Sequence, residues 1–154
     1  MKTIKMKEQG KHKSRFNYYE IRLRSYLRDY FPEKLHDNAF IRERSDFASE
    51  SYEQAFLQGY SPDEAHDIAM EVLFADLHFS SYYLIEQILE NEFDKEIETK
   101  DLQSIALSLV KHNDIRQAIA QYTIDKDFDG SPEYDRLYTE LTGLIAMLFE
   151  QRGR

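Results

Sequence analysis

The sequence predicts an all-α protein, a single-domain orthogonal or irregular bundle of six to seven helices. Three observations carry that prediction. Apolar residues recur at steps of three and four, and no stretch shows the sustained apolar–polar alternation of a strand. Between Asp63 and Asp129 there is neither Gly nor Pro. The lone hairpin-type dipeptide, Asp129-Gly130, runs straight into Ser131-Pro132, which reads as a helix start. A chain of 154 residues with 11 Tyr and 10 Phe can bury a sizeable core and is too aromatic for disorder.

Residues 1–15 carry Lys2, Lys5, Lys7, Lys11, Lys13 and Arg15 against Glu8 alone, a local charge of +5. Their apolar residues are scattered, so they read as a basic, flexible, solvated arm ahead of a single helical domain spanning residues 16–154. The first helix is expected from about Phe16 to Phe31, stopped by Pro32. Its stripe is Phe16, Tyr19, Leu23, Tyr26, Leu27 and Tyr30. Asp37 or Asn38 caps a second helix over about residues 39–58, closed by Gly59, with Ile41, Ala48, Tyr52, Ala55 and Phe56 as its stripe and Phe40 and Phe47 widening it.

Ser61-Pro62-Asp63-Glu64 is a capping box with Pro at the first helical position, the most specific structural signal in the chain. The third helix should run from Pro62 towards Phe79, and its broad apolar face makes it the expected centre of the fold, with Val72 and Leu73 at the middle. The next stripe (Tyr82, Ile85, Ile88, Leu89 and Phe93) is rotated enough to require a break at Ser80-Ser81. Thr99 or Asp101 opens a fifth helix, Asn113 separates a short sixth, and Pro132 begins a last helix reaching about Gln151.

Composition removes several function classes. There is no cysteine, which excludes a disulfide scaffold, thiolate zinc, iron–sulfur clusters and a cysteine nucleophile. No apolar run approaches the 18 or so residues that span a bilayer, and no signal-type apolar region is present. The expected setting is the cytoplasm, away from membranes. Charge is lopsided: residues 1–34 carry +6 and residues 35–154 carry −15, within a net −9. That acidic body opposes wholesale wrapping by nucleic acid.

The search for chemistry returns little. Asp125-Lys126-Asp127-Phe128-Asp129-Gly130 matches the opening half of an EF-hand loop, but Arg136 stands where the bidentate Glu belongs. Asp63-x-x-His66 is half of a di-metal bundle motif without its second half. Asp76 falls on the projected apolar face of the third helix, so it needs a partner or the helix must end before it. No catalytic residue, no cofactor and no metal site is assigned.

The stretch Tyr18-Tyr19-Glu20-Ile21-Arg22-Leu23-Arg24-Ser25-Tyr26-Leu27, then Phe31-Pro32, the run Ala55-Phe56-Leu57-Gln58-Gly59-Tyr60-Ser61-Pro62-Asp63-Glu64-Ala65, and Glu71-Val72-Leu73-Phe74 resemble a family of small Bacteroidetes proteins of unknown function associated with conjugative transposons. The resemblance covers about residues 16–95 and implies a helical cytoplasmic protein of a mobile element. It brings no catalytic residues. The reading is then a non-enzymatic protein-interaction or accessory factor with a protein partner. The alternatives are a nucleic-acid-associated factor using the basic arm and first helix, or an uncharacterised enzyme. Ile21, Arg24 and Arg28, opposite the apolar stripe of the first helix, form the candidate interaction surface.

Overall fold

The computed structural model describes the backbone of residues 2–152 and the side chains of residues 13–152. Among the described residues there are seven α-helices and no strand, so the all-α class holds. The packing falls into two compact units, Met1–Leu77 and His78–Arg154.

In the first unit, helix α1 runs Lys2–Tyr30, α2 runs Asn38–Leu57 and α3 runs Pro62–Leu73. The backbone of α1 is helical well before Phe16. Lys, Glu and Gln are good helix formers, and the single Gly10 costs only about 1 kcal/mol, so a helix can propagate back through a segment without an apolar stripe. A role for the basic arm in contacting nucleic acid falls mainly on side chains outside those described. Tyr19, Leu23, Leu27 and Phe31 are buried, as their spacing requires. Pro32 ends the helix in a single 3₁₀ turn, Pro32–Lys34. The Asp37 carboxylate accepts the Phe40 N–H at 3.1 Å to start α2.

At the other end of α2, the Tyr60 N–H reaches the Ala55 carbonyl and the Gly59 N–H reaches that of Phe56, both at 3.1 Å. This pair of bonds closes a Schellman turn, and Gly59 supplies the φ of +98° that the turn requires. The expected capping box follows at once: the Glu64 N–H donates to Ser61 Oγ at 3.2 Å, and the Ser61 N–H donates to Glu64 Oε1 at 3.3 Å.

Helix α3 stops at Leu73, six residues short of the expected end. Its end is made by other elements. Arg44 Nη1 on α2 donates to the carbonyls of Leu73 at 3.3 Å and Ala75 at 2.6 Å. A cation there complements the negative end of the helix dipole. The Tyr26 hydroxyl on α1 donates to the Leu77 carbonyl. Between them Asp76 takes φ +64°, and its side chain is exposed. The second alternative for Asp76 is therefore the one realised: the helix ends first, and no buried carboxylate arises.

The second unit contains α4 (Ser81–Glu92), α5 (Leu102–Lys111), α6 (Asn113–Ala120) and α7 (Pro132–Arg152). Ser80 Oγ accepts the Tyr83 N–H at 2.9 Å, so the expected break is an N-cap. The core joins Leu84, Ile85, Ile88 and Leu89 of α4 to Ala106 and Leu109, to Ile115 and Ala118, and to Leu137, Leu141 and Ile145. Buried Phe128 plugs the loop before α7, with the rings of Phe79, Tyr122 and Tyr134 within 5.3–6.2 Å. Helix α4 buries Tyr82, Leu84, Ile85, Ile88 and Leu89, whereas α3, of equal length, buries only Ala65, Ala69 and Leu73. The expectation that the third helix is the most buried is overturned, and Val72 is only partly covered.

Candidate interaction surface

Helix α1 is anchored along one side by Tyr19, Leu23 and Leu27, so its opposite side is a fixed platform. Tyr18, Ile21, Ser25 and Arg28 lie along it at steps of three, four and three, and all are exposed. Ile21 is 68% accessible, an aliphatic side chain held out in water between an aromatic ring and a guanidinium. The three residues singled out by sequence separate into two groups. Ile21 and Arg28 project freely. Arg24 is half-buried and committed: its Nε and Nη2 donate to Glu20 Oε1 at 3.2 and 3.0 Å, and Nη2 also donates to Asn38 Oδ1 at 3.3 Å. Arg24 thus braces α1 against the first residue of α2. Tyr18 takes its place on the open face, and its position outside the apolar stripe is the sequence signal that identifies it.

One turn earlier, Arg15 forms a 2.7 Å ion pair with Glu53 and lies 4.9 Å from the centre of the Tyr52 ring. Tyr19 stacks near His66 of α3, with ring centres 6.3 Å apart, and Tyr18 meets the same imidazole at 6.0 Å. Burial, followed by the neighbouring Tyr52, pushes the Tyr19 phenol up to about 12. With its side chain buried, Tyr19 is a packing element at the base of the α1 surface.

His66 is consequently one wall of an aromatic cluster. Among the described residues no group of three or more His, Asp, Glu or Cys side chains could hold a metal ion. In the Asp125–Gly130 loop, the Asp125 carboxylate accepts the Asp127 N–H at 2.9 Å, and the turn serves to seat Phe128. The second unit also has a cleft of about 220 Å³ lined by Ile105, Leu109, His112, Leu148, Phe149 and Arg152, among others. That is below the roughly 300–1,000 Å³ of sites for drug-sized ligands. A wider depression of about 410 Å³ is lined by Gln121, Tyr122, Thr123, Glu133 and Arg136, where Arg136 contacts Glu133 at 3.4 Å and the Tyr122 hydroxyl donates to Glu140 at 2.8 Å. No helix among the described residues is long and apolar enough to cross a membrane.

Residues 11–153 match the family model of a domain of unknown function, DUF1896. The chain is also similar to a protein of known structure, protein PG0816 from Porphyromonas gingivalis, a member of the Bacteroidetes. Identity is 40%, the match covers 92% of this chain and 95% of that one, and the TM-score is 0.87. Among curated proteins, none matches.

Proposed function

The chain belongs to the family described as a domain of unknown function, DUF1896, and from that footing we propose that it is a non-enzymatic protein-interaction factor, an accessory protein of a mobile element acting in the cytoplasm. The observation that carries the interaction reading is the open face of α1. Tyr18, Ile21 and Arg28 are exposed on a helix whose other side is locked into a core. Aromatic residues and Arg are the side chains enriched at interface hot spots, and a rigid presentation lowers the entropy lost on docking. The mobile-element setting rests on the resemblance of residues 16–95.

Affinity capture from native cells tests the proposal, using wild type and the double variant Ile21→Asp/Arg28→Glu. Both substitutions are at exposed positions, so the fold should be unaffected. A partner retained by wild type and lost by the variant is the expected result. Identical partner profiles would overturn the assignment of this face. Retention that disappears after nuclease treatment would move the reading to a nucleic-acid contact through exposed Arg22 and Arg28.

A further inference from the structure

We infer that the turn joining α2 to α3 is a second docking surface on the first unit, and that its occupant is a basic amphipathic segment of a partner protein. This rests on the protein-interaction reading above, but on a different surface. Phe56, Leu57 and Tyr60 are all exposed there, and Leu57 is 77% accessible. Three large apolar side chains within five residues are unlike the isolated exposed residues normal for a soluble surface.

They are also fixed in place. The Schellman bonds to Ala55 and Phe56 hold the turn from one side, and the Ser61–Glu64 capping box holds it from the other. The Phe56 ring is further stacked on Tyr52, with centres 6.5 Å apart and planes within 5°. A group so constrained does not fold away from water by local rearrangement, and it loses little entropy when a partner covers it.

Charge identifies the occupant. Within the first unit, residues 45–77 contain eight Asp and Glu and no Lys or Arg. Glu50, Asp63, Glu64 and Asp67 are exposed carboxylates on either side of the turn in sequence. Among the described basic side chains of α1, Arg15 is paired with Glu53 of α2. An apolar group inside a purely acidic stretch favours a partner that brings apolar side chains to the centre and Lys or Arg to the rim, the arrangement of an amphipathic basic helix. An acidic or neutral apolar segment would be disfavoured by the same field.

The test is calorimetric titration of the full chain with a synthetic 14-residue Leu/Lys amphipathic helical peptide, an all-Lys peptide of the same length, and a Leu/Glu counterpart. The Leu/Lys peptide should bind at least about tenfold more tightly than either control. Leu57→Ser and Tyr60→Ser should each weaken it several-fold, while Ile21→Asp/Arg28→Glu should leave it unchanged. Unchanged melting temperatures would show that the turn variants remain folded. Equal binding by the all-Lys peptide, or by the turn variants, would overturn the docking surface. So would sedimentation showing self-association that Leu57→Ser abolishes, because the occupant would then be a second copy. Loss of binding in the Ile21→Asp/Arg28→Glu variant would also overturn it, by returning the peptide to the α1 face. Failure of these arms leaves the capture experiment on α1 standing, so the two readings fail separately.

Discussion

The two units reach stability by different means. The second is a concentrated aliphatic core: Leu84, Ile85, Ile88, Leu89, Ile115, Leu137, Leu141 and Ile145 are all essentially inaccessible. The first is thinner and more polar. Beside Leu23, Leu27, Ile41 and Leu73 it packs Ala48, Ala65, Ala69, Ser45 and Ser49. Its long-range tethers, Arg44 and Tyr26 on the end of α3 and Arg15 on Glu53, have a counterpart in the second unit, where the Tyr138 hydroxyl donates to Glu92 at 3.0 Å. It also exposes Tyr18, Ile21, Phe47, Phe56, Leu57 and Tyr60, whereas Tyr83 and Met147 are the large apolar side chains exposed in the second among the described residues. The contrast suggests a division of labour. Apolar side chains of the kind that the second unit buries are, in the first, partly turned outward.

The largest expected effect tests the aliphatic core. Leu141→Ala should lower unfolding stability by about 3–4 kcal/mol in urea denaturation, the cost of lost transfer plus a cavity. An effect below 1 kcal/mol would mean that the core of the second unit relaxes freely. Next comes Tyr19 in the first unit. Its pKa in the folded protein, about 12, lies above the ordinary 10.0, so the stabilisation is complete below pH 10 and is lost as pH climbs to about 12. Wild type should lose about 2–3 kcal/mol over that window relative to Tyr19→Phe. Parallel stability curves for the two would contradict the placement of the phenol.

Arg44→Ala removes the bonds to the end of α3 and the contact with Phe40, 4.9 Å from the ring centre. The expected loss is about 2 kcal/mol in chemical denaturation, with faster hydrogen exchange in α3. No change in α3 exchange would show that the helix end is set by local sequence. The smallest effect has the opposite sign. The Ser45 hydroxyl is buried without a hydrogen-bond partner, so Ser45→Ala should stabilise by about 1 kcal/mol, read as a higher melting temperature.

These tethers also explain what the sequence could and could not reveal. The start of α2 at Asp37, the Ser61 capping box, the break at Ser80 and the start of α7 at Pro132 were readable because each is fixed by bonds within a few residues. The end of α3 was not, since no Gly or Pro marks it and its carbonyls are satisfied from residues about thirty positions earlier. Phe47 and Phe56 fit a widened apolar stripe on α2 yet lie exposed, while Ala48, Ser49 and Ala55 take the buried positions beside them. On α1 the periodicity correctly turned Ile21 and Arg28 outward. It could not show that Arg24 would be claimed by Asn38, a contact across the intervening turn.

The central claim, that the first unit carries the partner contact while the second serves as scaffold, is tested most directly by site-specific photo-cross-linking in native cells. A photo-reactive amino acid is placed either at Ile21 or at Met147, exposed apolar positions on helices of the two units. The account expects a discrete cross-linked protein from position 21 and none from position 147. A discrete product from position 147 with none from position 21 would contradict it.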